Sequence, residues 1–273
     1  MREFGFQQLF ERSLIKNYKG PVYSKFLEAI ETYQLISKGD KIAVALSGGK
    51  DSLIMAKLFQ ELKRHGTIDF ELVFITMDPG FYEEDITNHI SLCQRLGIDV
   101  IVEKSNIFDI TETISADNPC YLCARMRRGF LYKIAQKYGC NKLALGHHFD
   151  DVIETTLLNI LYAGCFKTML PKAKSENYEN LQLIRPMYLI KEKDLIRVMR
   201  YHKIDTMSCG CKVARNELES KRKEVKKLIE NLRKTYKNID INIFRAAENV
   251  NLESILGYFN DHNTYTFLDK FNK

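Results

Sequence analysis

No stretch of this chain stays apolar for long. A membrane-spanning helix needs about 18 or more consecutive apolar residues, and the runs around Ile42 and Leu143 are far shorter. Such a span is excluded. Met1-Arg-Glu-Phe-Gly places charges where a secretory leader would be apolar, so a cytoplasmic location and no membrane partner are expected. Proline is scarce, at 5 residues, and no segment is low in complexity or repeated. With an ordinary hydrophobic share of 45%, disorder is excluded too. Cysteine is sparse and odd in number: the seven thiols do not make a disulfide framework. Cys93, Cys140 and Cys165 stand singly and read as small buried hydrophobes.

The 273 residues suffice for one large domain or two modest ones. Apolar, β-branched runs at 41–46, 71–77, 100–103 and 142–145 read as strands. Between them, 50–65, 83–96 and 123–138 carry apolar residues at three- and four-residue spacing and read as helices. This alternation implies parallel strands with crossover helices, hence a doubly wound α/β sheet. Gly66, Gly97 and Gly139 fall where left-handed helix caps are expected. A covering helix is expected over 24–37, further helices over 152–162 and 191–202, and a polar connection over 172–180. Past Cys211 the pattern is helical and basic. Residues 212–237 hold ten Lys or Arg against four Glu, a local +6 equal to the whole chain's excess. Such a segment is either a footprint for a polyanion or a solvated helix face. Three parts follow: an N-terminal helical segment (1–38), a central α/β domain (39–207) and a basic helical C-terminal region (208–273).

Ser47-Gly48-Gly49-Lys50-Asp51-Ser52 follows a strand and opens a helix. Glycines allow close backbone approach, and the helix N-terminus offers unpaired N–H groups to phosphate. The spacing is neither a Walker A loop nor a dinucleotide fingerprint. Gly146-His147-His148-Phe149-Asp150-Asp151 follows a later strand, and Asp78 ends the second. Asp150 and Asp151 suit magnesium, although one of them at a helix start can be a cap.

The loop resembles the PP-loop of N-type ATP pyrophosphatases, whose HUP-like fold binds ATP and splits it between the α and β phosphates. The resemblance implies ATP contacts from Ser47, Gly48, Gly49, Lys50, Asp51, Ser52, Asp78, Gly146 and His147, with magnesium on Asp150 and Asp151. His147 and His148 read as pocket-shaping residues, with metal ligation the other reading.

Pro119-Cys120-Tyr-Leu-Cys123-Ala-Arg125-Met-Arg127-Arg128 narrows the choice. It resembles the P-C-x-x-C-x-x-x-R-R segment of tRNA 2-thiolation enzymes, the TtcA and TtuA group. Val152-Ile-Glu-Thr-Thr-Leu-Leu-Asn159 and Ile184-Arg185-Pro186-Met187 match later segments of that group. Its members hold a 4Fe–4S cluster on the C-x-x-C and one distant cysteine. This implies Cys120, Cys123 and Cys209 as ligands, with Cys211 of Ser208-Cys209-Gly210-Cys211 the alternate third. Structural zinc on the two cysteine pairs is the competing reading, and the nucleotide loop favours the cluster. No cysteine precedes Cys93 or follows Cys211, so the terminal zinc fingers of the TtuA branch are absent and the TtcA branch is the better match.

The resemblance therefore implies an ATP-dependent tRNA sulfurtransferase. The C2 oxygen of a pyrimidine, cytidine 32 in the TtcA branch, is adenylated and then replaced by sulfur. Asp51, Arg127 and Asp151 are the expected catalytic residues. Arg125, Arg128, Lys221, Arg222, Lys226 and Lys227 are expected on tRNA phosphates. A cysteine desulfurase or free sulfide is the expected donor, and a homodimer is an open expectation. Two alternatives stand: another PP-loop adenylating enzyme with a structural zinc, and a non-catalytic nucleotide- and zinc-binding RNA-binding protein.

Overall fold

The computed structural model describes residues 4–107, 119–206, 217–260 and 263–271. β1 (Lys41–Leu46), β2 (Glu71–Asp78), β3 (Val100–Lys104) and β4 (Lys142–Ala144) run parallel. β6 (Gln182–Ile184) extends the sheet parallel to β4, and β5 (Lys172–Lys174) closes it antiparallel. The order is β3-β2-β1-β4-β6-β5, so successive crossovers leave β1 in opposite directions. The crevice between β1 and β4, at their carboxyl ends, is the switch point where open α/β sheets bind ligands.

Strand periodicity divides the core. Ile42, Val44 and Leu46 pack on one face with Phe26 and Phe59, whereas Ala43 and Ala45 pack on the other with Ile75, Ile134 and Leu143. α3 (Lys50–His65), α4 (Glu83–Arg95), α5 (Pro119–Lys137), α6 (Phe149–Ala163) and α7 (Glu192–Tyr201) are the connecting helices. Gly97 and Gly139 end α4 and α5 with φ of +66° and +68°. Gly66 differs from the expectation, because its backbone is extended at φ −82°, ψ 165°. A Cβ there would lie 2.4 Å from the Leu62 carbonyl oxygen, which is the physical case for glycine.

The N-terminal segment is richer than the single helix expected over 24–37. α1 (Phe6–Ile15) is followed by a π-helical turn (Lys19–Ser24) and α2 (Lys25–Thr32). The helix stops early because Gln34 turns left-handed, at φ 49°, and delivers Leu35 and Ile36 into the core. α1 is tied down by Glu11, which accepts Lys57 Nζ at 2.7 Å and Arg64 Nη1 at 3.1 Å.

The C-terminal region is not helical throughout. α8 (Glu217–Thr235) and α9 (Ile239–Ala246) are followed by a hairpin, β7 (Gly257–Asn260) and β8 (Asn263–Thr266), then α10 (Leu268–Phe271). Tyr258 faces Tyr265 across the hairpin with ring centroids 4.9 Å apart, a stacked cross-strand pair. α8 docks on α6 through Val225 and Ile229, which pack on Phe149 and Ile153. No helix among the described residues is long and apolar enough to cross a membrane.

Candidate nucleotide and cluster site

The loop between β1 and α3 is closed by its own serines. Ser47 N–H donates to Ser52 Oγ at 3.1 Å, and Ser52 Oγ donates to the Gly49 carbonyl at 2.9 Å. Gly48 holds φ +81°, which leaves the loop backbone in a turn that L side chains resist. Gly49 caps α3 without a side-chain acceptor, so the first-turn N–H groups face the crevice as an anion site. Gly146 closes the loop after β4 against the same helix. A Cβ at this position would sit 3.2 Å from Ser52 N.

A cavity of about 350 Å³ opens between these loops. Ser47, Asp51, Ser52, His147, Asp151 and Arg127 supply polar groups, while Met77, Phe81, Leu131 and Leu145 supply apolar wall. His147 Nδ1 and Asp51 Oδ1 are buried with no hydrogen-bond partner. Burial pushes the His147 pKa down to about 4, so the ring is neutral at physiological pH. Burial also raises Asp51, partly offset by Lys50. An ionisable carboxylate oxygen buried alone is costly, and a cation is its natural complement. Asp78 does not line this cavity. Its Oδ1 accepts the N–H groups of Gly80 and Phe81, at 3.0 and 2.8 Å, and so shapes the turn that brings Phe81 to the wall.

The Asp pair divides its labour. His148 is the N-cap of α6: its Nδ1 accepts the Asp151 N–H, and Asp151 Oδ2 accepts the His148 N–H at 2.9 Å. Asp150 departs from the expected magnesium pair. Its Oδ2 accepts the Glu192 N–H and its Oδ1 accepts Arg233, both at 2.7 Å, so both oxygens already fasten α7 and α8 to α6.

A second cavity, of about 300 Å³, shares Asp51 and Asp151 with the first. Its other walls are Lys50, His148, Glu154, Glu192, Arg222, Lys223 and Lys226. Arg222 Nη2 donates to Asp151 Oδ1 at 2.5 Å and its Nε to Glu154 at 2.8 Å. Glu192 accepts Lys226 at 2.6 Å and Lys50 at 3.3 Å. Burial would raise the Glu192 pKa, but these two ammonium groups hold it down at about 2. Burial would likewise lower Lys50, and Asp51 and Glu192 outweigh it. Arg222 and Lys226, expected on tRNA phosphates, are half-buried and paired with site carboxylates. Lys221 and Lys227 are exposed, as are Arg125 and Arg128 on α5. Glu154 and Glu192 were missed as site residues. Glu192 lies in the first turn of α7, and nothing in the sequence pairs it with Lys50 and Lys226.

Cys120 and Cys123 fall in the first turn of α5, where i and i+3 share a face; their side chains lie outside the described residues, as do Cys209 and Cys211 entirely. Among the described residues no trio of His, Cys, Asp or Glu could hold a metal ion. The flanks of both cysteine segments nevertheless meet at the PP-loop. Arg127, one turn beyond Cys123, lines the first cavity, and Thr206, three residues before Cys209, lines a further cavity with Gly48. Cys93 and Cys140 are buried, which pushes their thiols up to about 12 and about 11 and leaves them unreactive.

Comparison with known proteins agrees with this geometry. A family model described as a PP-loop domain matches residues 21–208. A tRNA-cytidine(32) 2-sulfurtransferase of Citrifermentans bemidjiense is 38% identical over 84% of this chain and 90% of that protein. One from Aeromonas hydrophila is 36% identical over 88% of this chain and 78% of its own. Among solved structures, the U34-tRNA thiolase NcsA of Methanococcus maripaludis, determined with its [4Fe-4S] cluster, shares the fold. Its TM-score is 0.67 at 24% identity, covering 82% of this chain and 76% of that one. A nucleotide loop at the switch point and a relationship that runs through most of the chain lead to one assignment: the chain belongs to the PP-loop family, in the group of the tRNA-cytidine(32) 2-sulfurtransferases.

Proposed function

We propose that the protein is an ATP-dependent tRNA sulfurtransferase that converts cytidine 32 to 2-thiocytidine. The observation that carries the reading is the junction of the two cavities at Asp51 and Asp151, one with apolar residues for a base and one lined by charged residues and a histidine for phosphates. The relatives' names supply the acceptor.

ATP lies with its base toward Met77, Phe81 and Leu131 and its phosphates on residues 47–52. The N-terminal N–H groups of α3 and Lys50 stabilise charge gathering on the phosphates. Asp51, whose Oδ1 has no protein partner, and Asp151 are the residues that would hold magnesium, which commonly takes one or two carboxylates plus phosphate oxygens. The cytidine C2 oxygen attacks the α-phosphorus; the new O–P bond forms as the bond to the bridging oxygen breaks, and pyrophosphate leaves with the electron pair. Arg127, which lines the same cavity as Ser47 and Ser52, would steady the α-phosphate. Neutral His147 lends a polar wall without competing for the phosphate as a charge. Sulfur then adds at C2, and the C2–O bond breaks to release AMP. Cys120, Cys123 and Cys209 are the residues that would hold a 4Fe–4S cluster, which when bound would supply an open iron position for sulfide. A cysteine desulfurase or free sulfide provides the sulfur.

Nucleoside mass spectrometry of tRNA from a deletion strain tests the reading. The expected result is loss of 2-thiocytidine and its return on complementation. A full complement of thiolated nucleosides in the deletion strain would overturn it.

A further inference from the structure

No apolar residue lines the second cavity. Its lining carries four cations (Lys50, Arg222, Lys223, Lys226), four carboxylates (Asp51, Asp151, Glu154, Glu192) and His148. Three of the cations come from α8, which lies beyond residues 21–208 of the PP-loop domain. On that helix Arg222, Val225, Lys226, Ile229 and Arg233 recur at three- and four-residue spacing. They form one stripe whose apolar members seat it on Phe149 and Ile153. The ionic members are thereby aimed at the PP-loop: Lys226 and Lys50, 176 positions apart in sequence, grip the same Glu192 carboxylate.

We propose that Arg222 and Lys226 complete the nucleotide site, holding with Lys50 the β and γ phosphates of ATP and then the departing pyrophosphate. The proposal rests on the sulfurtransferase reading and moves these two residues from the tRNA surface to the nucleotide. Glu192 places carboxylate oxygens between Lys50 and Lys226, where phosphate oxygens would make the same contacts. Asp151 and Glu154 do this for the Arg222 fork, whose geometry suits either carboxylate or phosphate. Magnesium nucleotide brings both replacements together. The metal takes Asp51 and Asp151 while phosphates take the arginine and lysines, so each cation exchanges one anion for another and none is left alone. α8 thus serves two ligands from two faces, since Lys221 and Lys227 point to solvent.

The test is isothermal titration of the full-length, cluster-bearing protein with magnesium pyrophosphate, AMP and, separately, tRNA. Arg222→Gln and Lys226→Gln should each weaken magnesium pyrophosphate by about tenfold, the effect of one charge-assisted contact. AMP and tRNA affinities should stay unchanged. Lys221→Gln with Lys227→Gln should do the reverse, weakening tRNA and sparing pyrophosphate. Arg222→Lys, which keeps the charge and loses the fork, should fall between wild type and Arg222→Gln. Among the described residues Lys226 makes one ion pair, to Glu192, so its variant reports even if Arg222→Gln loosens α8. Unchanged pyrophosphate affinity in Lys226→Gln, or tRNA affinity lost in its place, overturns the proposal while the sulfurtransferase reading stands. A wild-type protein that cuts ATP to ADP and phosphate overturns the reading itself.

Discussion

The two walls of the nucleotide site are built differently. On one side, residues 47–52 make a ligand cradle from local chemistry: a positive φ at Gly48, two serines bonding across the turn, and an uncapped helix start. On the other, α8 reaches the site through ion pairs between residues 34 to 71 positions apart and an apolar seam at Val225 and Ile229. The first wall keeps its shape without its ligand. The second is held by carboxylates that a ligand must replace, so it should respond more strongly to charge, pH and salt.

The comparison breaks most sharply at Asp51, which belongs to both cavities. Asp51→Ala should reduce tRNA-dependent pyrophosphate release by roughly 10³-fold, because it removes a preorganised charge from the reacting phosphates. The visible absorption of the cluster should persist, since the cysteines lie on other segments. Cys120→Ala should give the opposite pattern. Iron should fall from about four per chain, 2-thiocytidine formation should stop, and pyrophosphate release should continue. Loss of both activities in both variants would mean that the halves of the reaction are not separable in this way.

A smaller effect follows from the Glu192 carboxylate, whose pKa of about 2 lies below its ordinary value near 4.5 because Lys226 and Lys50 outweigh its burial. Its contribution to docking α8 is complete above about pH 4.5 and is lost as pH falls toward 2. Hydrogen exchange of α8 amides should therefore accelerate through this window, ahead of exchange in β1. Glu192→Gln should raise α8 exchange already at neutral pH and remove that part of the acid response. Equal protection of α8 and β1 across the window would show that the apolar seam alone holds the helix.

The same contrast explains what could be read from the sequence. β1 and α3 match their expected bounds, because strand period, glycine pair and helix spacing are all local signals. The parallel pairing of β1 to β4 follows from strand–helix alternation, whereas the order of the strands was not read. β5 and β6, at three residues each, carry too little pattern to register. α1 went unread, although Phe6, Phe10 and Leu14, all in or against the core, carry helical spacing. The aromatic hairpin at 257–266 was obscured by a helical reading carried over from the basic segment. Asp150 shows the harder limit. Two adjacent aspartates look alike in sequence, yet one caps and faces the cavity while the other is spent on Glu192 and Arg233, partners far along the chain.

The smallest expected effect concerns the outer face of α8. Lys227 is exposed, and Lys221 is exposed beside Tyr162, with its ammonium 5.4 Å from the ring centroid. Neither is tied to a site carboxylate among the described ion pairs. Each phosphate contact contributes about 0.7 to 0.9 to the slope of log affinity against log salt. Lys221→Gln with Lys227→Gln should therefore flatten the slope for tRNA by up to about two units. Arg222→Gln with Lys226→Gln should leave it unchanged, because those cations already neutralise carboxylates and release no counterions from RNA. If the outer pair leaves the slope untouched, α8 serves the nucleotide alone. The phosphate grip then passes to Arg125 and Arg128, the exposed arginines on α5, whose replacement should produce the missing change in slope.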